Sequence, residues 1–273
     1  MTVLQDGFAT LGVSALRRCT ELDSPWIAID EIGYLEAQCH VYCDALRELL
    51  EKKQVAAVLR KQDLPFLTEL LRREDAFVLD LDAPAGNIGC VIMASGLGQR
   101  FGGNKLMTDF HGRPMICSIL GATEGIFTHR VVVTRSKEVA DLCRKRGIQT
   151  VFHDLPHRSD TVRLGLEAMP GVERCMFATA DQPLLRWETV ASMALSSAAA
   201  PSEIWRVACD GVPGSPVIFP EWTFDELLRL PEGKGGGFVA KKHPERLRTV
   251  NVRDRYELKD VDSPEDLLEL LER

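Results

Sequence analysis

Residues 90–105 read CVIMASGLGQRFGGNK, and this stretch decides the fold. Its first five residues are apolar without alternation, the pattern of a strand covered on both faces, as the strands of parallel sheets are. From Ser95 to Lys105 the chain sets glycines at 96, 98, 102 and 103 around two cations, Arg100 and Lys105. Glycines let a backbone approach a phosphate closely, their N–H groups form an anion nest, and the cations supply compensating charge. A plain tight loop is the competing reading, and it leaves the two cations without a purpose. The dinucleotide fingerprint G-x-G-x-x-G fails because Gly96, Gly98 and Gly102 are spaced one residue too long and the next strand, RVVVT (130–134), ends in no acid. The P-loop pattern fits at Gly98 and Gly103, but Asn104 intrudes before Lys105 and Leu106 replaces the hydroxyl residue.

Outward from this loop the chain alternates between strand and helix. A helix opened by Pro114 leads to RVVVT, the helix SKEVADLCRKR (136–146) and the strand TVFH (150–153). Ser159 to Met169 reads as helix, MFATA (176–180) as a strand running into Asp181, and Trp187 to Ala198 as helix again. IWRVACD (204–210) and PVIFP (216–220) flank a turn, DGVPGS (210–215), and form the expected antiparallel insertion in an otherwise parallel sheet. TFDELLRL and SPEDLLELLER are amphipathic helices, the second capped by Ser263 with Pro264 at its first position. The expected fold for residues 87–273 is α/β, a doubly wound, mostly parallel, Rossmann-like sheet.

Ahead of it, WIAID (26–30), the helix AQCHVYCDALRELLEKK (37–53), VAAVLR, LPFLTELLRRE and FVLDL (77–81) predict a smaller βαβαβ module over residues 1–86. DLDAPAGN (80–87) has linker composition.

In this fold, ligands bind at the carboxyl ends of the strands. FATADQPLL (177–185) brings Asp181 to that edge, and a hard cation bridging NTP phosphates needs such an oxygen ligand. A helix cap near Arg186 is the alternative role. Near the C-terminus, LKDVDSPEDLLELL (258–271) places Asp260 and Asp262 before a helix. Either acid is a candidate second metal ligand, and favouring the helix N-terminus electrostatically is the competing role of Asp262. The run from His157 to Gly165 opens a helix with Arg158 and Arg163 near a positive helix end, suited to phosphate or to solvent alike.

The formal net charge of −7 argues against a broad nucleic-acid footprint, and an anionic small substrate would need local cations instead. Apolar residues make up 45% and charged residues 27%, an ordinary globular profile. No apolar run is long enough to span a bilayer and the first residues lack a signal-peptide pattern, so the cytoplasm is the expected location. Eight cysteines contain no C-x-x-C pair, and Cys39 and Cys43 share a helix face without further zinc ligands, which favours packing over metal.

The loop segment resembles the signature A-[AG]-G-x-S-x-R-M-G-x-x-K of the NTP-transferase family that includes molybdenum cofactor cytidylyltransferase and guanylyltransferase. Ala94, Gly96, Arg100, Gly102 and Lys105 match, while Ser95 and Gly98 replace the small residue and the serine, and Phe101 replaces methionine. Gly112 to Met115, Ala180 to Pro183 and Asp260 to Leu267 resemble the family's G-x-P-[LM], A-D-Q/M-P and D-[IV]-D-[ST]-P-E-D-L motifs, while Pro213 to Pro216 is similar to its G-x-P strand entry. Glu232 to Gly236 is similar to a G-D-K-G-A segment, with Gly233 where the family has Asp. The resemblance implies nucleotide binding by Ala94, Ser95, Gly96, Leu97, Gly98, Arg100, Lys105, Arg163 and Asp181, with Arg100 and Lys105 stabilising transition-state charge. It implies Mg2+ on Asp181 and Asp262, and Lys234 on the acceptor side. The implied reaction moves CMP or GMP from CTP or GTP onto the phosphate of molybdopterin or molybdenum cofactor, releasing pyrophosphate, with a molybdenum hydroxylase as a further partner and CTP favoured. A sugar- or alditol-phosphate acceptor, or a non-catalytic assembly factor, are the rival functions.

IAIDEIGYLE (27–36) resembles the second half of small P-loop nucleoside-triphosphatases, with Asp30 and Glu31 as in a Walker B strand. Lacking the P-loop half, residues 1–86 read as a truncated module, structural or partner-binding rather than catalytic.

Overall fold

The structure is a computed structural model describing residues 5–73, 75–76, 78–82, 85–96, 98 and 101–273, with Gln5 described by its backbone alone. The chain forms two compact units, Met1–Val78 and Leu79–Arg273.

In the first unit, strands β1 (Trp26–Ile32) and β2 (Gln54–Leu59) pair in parallel, joined through the helix His40–Lys52. Leu46 and Leu49 of that helix, Ile32 and Leu67 form the centre of a small core, in which Cys39 and Cys43 are also buried. The helix is amphipathic because Tyr42, Cys43, Leu46 and Leu49 recur at helical spacing. The expected third strand does not form: the described residues of FVLDL are coil, with Val78 and Leu81 exposed. An apolar run makes a strand only where a face can be buried, and these two side chains stay largely in solvent. The module is therefore β-α-β with flanking helices, and not βαβαβ.

The second unit is built on a seven-stranded sheet ordered β11-β9-β10-β8-β3-β6-β7. Its strands are β3 (Ile88–Ala94), β6 (His129–Thr134), β7 (Gln149–Phe152), β8 (Arg174–Thr179), β9 (Ile204–Cys209), β10 (Val212–Pro220) and β11 (Leu247–Asn251), while β4 (Asp109–Phe110) and β5 (Arg113–Pro114) form a separate hairpin. Only β10 runs against its neighbours, β8 and β9.

The unbroken apolar run of β3 has the expected cause. Ile88, Cys90, Ile92 and Ala94 face one core, shared with the helices Ile116–Ala122, Trp187–Ala199 and Pro264–Leu271. Val91 faces the other, with Val131, Val133 and the helix Arg158–Glu167. Burying each such side chain contributes roughly 1.5–3 kcal/mol, so both faces must stay covered. Gly165 makes this possible, since a Cβ there would collide with Val91.

Local structure departs from the reading of the sequence at three places. Pro114 does not open a helix; it lies in β5, whose turn from β4 uses His111 and Gly112 at φ 52° and 80°, and the helix starts at Ile116. The turn between β9 and β10 is only Asp210-Gly211, both at positive φ as a two-residue hairpin requires, so VPGS already belongs to β10. LRTVN forms β11, parallel to β9, an edge strand that the reading of the sequence missed.

Candidate active site

At the carboxyl edge of this sheet lies a cavity of about 560 Å³. β3 delivers Ser95, Gly96 and Gly98 to it, and β8 ends just before Asp181. Gly98 has φ 57°, and a Cβ there would lie 2.5 Å from Gly103 O, so only glycine fits this bend. The loop closes on Lys105, which begins a short 3-10 turn and is 7% exposed.

Lys105 Nζ donates to Asp181 Oδ2 at 2.7 Å, to Val261 O at 2.6 Å and to Asp262 Oδ1 at 3.3 Å. Burial opposes its charge, but Asp181 and Asp262 outweigh burial and hold its pKa above the ordinary lysine value. The C-terminal segment is fixed beside β8 by Val261 N donating to Asp181 O at 2.9 Å and by Gln182 Nε2 donating to Leu258 O at 2.9 Å. Asp266 caps the helix Pro264–Leu271 and accepts from the backbone N–H of Asp262 at 3.1 Å and of Ser263 at 2.9 Å. The cap therefore sets the turn that carries Asp262.

Of the residues singled out from sequence, Ser95, Gly96, Gly98, Lys105, Asp181 and Asp262 line one cavity. Ala94 lies behind them, buried, its carbonyl accepting from Thr134 Oγ1 at 3.0 Å. Leu97 and Arg100 lie outside the described residues. Arg163 is turned away: its guanidinium meets Asp160 at 3.5 Å and Glu167 at 3.3 Å along its own helix, and it does not line the cavity. Lys234 is exposed and also outside the lining. Its loop nevertheless reaches the rim, because Glu232 pairs with His157 at 3.5 Å and Gly235 packs on the Arg158 side chain.

The remaining wall is formed by Arg135, Pro156, His157, Arg158 and Thr161, with Met93 and Thr179 beneath. Arg135 and Thr179 were not singled out from sequence; their only signal there is a position at the carboxyl end of a strand, where this fold places ligands. Behind Ser95 stands His153, 91% buried, with Nε2 2.8 Å from Ser95 Oγ. Burial, then the Arg135 charge, hold its pKa below the ordinary imidazole value against Asp160 and Asp154.

The donor set suits a hard divalent cation. Asp181, Asp260 and Asp262 all line the cavity, and Asp181 Oδ1 is buried without a hydrogen-bond partner among the described residues. Burial, then the charges of Asp181 and Asp262, raise the Asp260 pKa to about 6. Among the described residues no three His, Cys, Asp or Glu side chains are preassembled to hold a metal. A hard divalent ion can be held by one or two carboxylates, with phosphate oxygens and water completing its shell.

Comparison with known proteins places the chain by family and fold. The pattern of the family described as MobA-like NTP transferase domain matches residues 90–247, and that of a family described as NTPase matches residues 1–87. No curated protein matches the chain. Among solved structures, Rv0371c from Mycobacterium tuberculosis is similar at 22% identity and TM-score 0.61, covering 68% of this chain and 99% of its own. A structure of Rv0371c in complex with manganese is similar at 21% identity and TM-score 0.56, covering 68% and 98%. CMP:2-keto-3-deoxy-manno-octonic acid synthetase complexed with CTP is similar at 13% identity and TM-score 0.58, again covering 68% and 98%. At these identities the likeness establishes the α/β fold of the second unit.

Proposed function

We propose, from the premise that this chain belongs to the MobA-like NTP transferase family, that it transfers CMP or GMP, CTP being the favoured donor, to the phosphate of molybdopterin or molybdenum cofactor. The observation that carries this reading is the convergence of Lys105, Asp181 and Asp262 with the glycine loop on one cavity. In the reaction an acceptor phosphate oxygen attacks the α-phosphorus, a new P–O–P bond forms, and the bond to the β-phosphate breaks to release pyrophosphate. No group of the protein need be covalently modified.

Phosphate oxygens would be received by backbone N–H groups of Gly96 and Gly98, where an anion nest needs no side chain. Lys105 supplies positive charge beside the reacting phosphates, and Arg100 would add to it. Asp181 and Asp262 would hold Mg2+, with Asp260 adjoining. Such an ion, when bound, neutralises charge on the phosphates and orients them. Arg135 and Arg158 bring guanidinium groups to the opposite wall, in keeping with an anionic substrate despite the net charge of −7.

The first unit is read as a structural or partner-binding module, with a molybdenum hydroxylase as its candidate partner. Asp30 and Glu31 stand on β1 as the nucleoside-triphosphatase resemblance implies, but Glu31 is engaged by Arg60.

The test is a panel of α-phosphate-labelled CTP, GTP, ATP and UTP with Mg2+ and purified molybdopterin. Label transfer from CTP, or from GTP, with release of one pyrophosphate per transfer supports the proposal. Nucleotide binding without transfer from any of the four would favour an assembly factor and overturn it.

A further inference from the structure

Lys105 and a divalent ion require the same oxygens. An ammonium group has three N–H donors and no acceptor. Nζ directs these donors to Asp181 Oδ2 at 2.7 Å, Val261 O at 2.6 Å and Asp262 Oδ1 at 3.3 Å, so none is free for a phosphate. The carboxylates are committed in turn. An ion such as Mg2+ shared by Asp181 and Asp262 must approach an oxygen of each to about 2.1 Å, and Nζ already bridges one oxygen of each. In this arrangement Lys105 is not a phosphate ligand, and the two carboxylates are not jointly a metal site.

The contacts of Nζ are unequal. The Asp262 side chain is 58% exposed and holds the longest of the three, so it is the first that solvent and a competing ion can loosen. The lysine stem is a flexible chain of four carbons, able to redirect its ammonium while the backbone stays in place. That backbone is fixed beside the glycine bend: a Cβ on Gly98 would lie 3.8 Å from Lys105 N, and Lys105 N donates to Gly103 O at 3.0 Å. A phosphate received at the bend therefore lies next to the root of the Lys105 side chain. It offers the ammonium anionic oxygens in place of the carboxylates.

We propose that Lys105 is the resident counter-ion of Asp181 and Asp262, and that it passes to the nucleotide phosphates as a divalent ion replaces it between the carboxylates. Each half of this exchange is unfavourable alone. An ion without nucleotide must expel a buried ammonium that has no other anion to meet. A nucleotide without the ion draws the lysine away and leaves two carboxylates facing one another uncompensated. Together the halves balance, since every anionic group keeps a cation. Metal and nucleotide therefore strengthen each other's binding, and Lys105 carries the coupling. The inference rests on the nucleotidyltransferase reading of the same cavity.

Manganese titrations of the full chain without acceptor, in the presence and absence of CTP and corrected for the ion held by free CTP, read the coupling. In the wild type CTP should tighten manganese binding about tenfold or more, the worth of one hydrogen bond to a charged group. Lys105→Met should bind manganese alone more tightly than the wild type, and its CTP enhancement should fall about tenfold. A lysine that stays on the carboxylates throughout gives a different result: its loss tightens manganese equally with and without CTP, and the enhancement is unchanged. That outcome overturns the inference and leaves the transferase reading intact, as does a wild type whose manganese binding ignores CTP. A wild type that binds neither manganese nor CTP overturns both. Should Lys105→Met fold poorly by circular dichroism, a crystal structure of the wild type with manganese and CTP decides. Nζ on a phosphate oxygen supports the exchange, and Nζ still bonded to both carboxylates beside the bound ion overturns it.

Discussion

Lys105 carries opposing demands. It is almost fully buried, and its ammonium is held by two carboxylates and a carbonyl. Lys105→Met would leave Asp181 and Asp262 facing one another without a cation. Breaking a fully buried pair costs about 3–5 kcal/mol; because the Asp181 side chain is 22% exposed, the loss in chelator should be about 2–3 kcal/mol. Urea denaturation with and without Mg2+ checks this, with part of the lost stability returning as the ion neutralises the carboxylates. Much of the site was legible at this scale, because Ser95, Gly96, Gly98, Lys105, Asp181 and Asp262 sit in short motifs whose composition makes no sense as packing. Arg163 illustrates the opposite case: Asp160 three residues before and Glu167 four residues after capture its guanidinium on the helix surface. Arg135 and His153 follow ordinary apolar strands with no cluster around them, so only the assembled sheet edge reveals them.

The capping box of the helix Pro264–Leu271 ties an element to the site. Asp266 Oδ2 accepts from Asp262 N, Ser263 N and Ser263 Oγ, and Asp266 also pairs with Lys259. Burial works against its charge, but Ser263, Lys259 and the backbone donors outweigh burial and hold its pKa below the ordinary carboxylate value. A depressed folded-state pKa means stability that is complete above the unfolded pKa, about 4, and is lost as pH falls through the folded value. Asp266→Asn should therefore cost about 1 kcal/mol at pH 7, with the gap to wild type shrinking on acidification, as paired thermal melts at pH 7 and pH 3 would measure. A gap that grew at pH 3 would contradict the assigned role. Element legibility followed burial. β3 and β8, covered on both faces, announced themselves as apolar runs. β11 at the sheet edge alternates weakly, with Arg248 and Thr249 exposed, and gave no such signal. Pro114 was misread because a proline after a polar turn serves a strand start as readily as a helix start.

At the scale of the whole chain, the division into units Met1–Val78 and Leu79–Arg273 runs roughly parallel to two family matches, one over residues 1–87 and one over residues 90–247. Among the described residues no helix is long and apolar enough to cross a membrane. The parallel order of β8, β3, β6 and β7 followed from alternating strands and helices, since right-handed crossovers leave few arrangements. The reversal at β10 was legible from Asp210-Gly211 between two apolar runs, but its insertion between β8 and β9 was not, because pairing of residues as far apart as Phe177 and Val217 leaves no local mark. That topology is what brings Lys105, Asp181 and Asp262, distant in sequence, to one edge.

In the proposed reaction a divalent ion and an NTP share that edge. Manganese binding followed by electron paramagnetic resonance, with and without CTP, tests it most directly. Tight binding should depend on the nucleotide and disappear in a folded Asp181→Asn variant. An Asp181→Asn variant that binds manganese with CTP as tightly as the wild type would contradict the account.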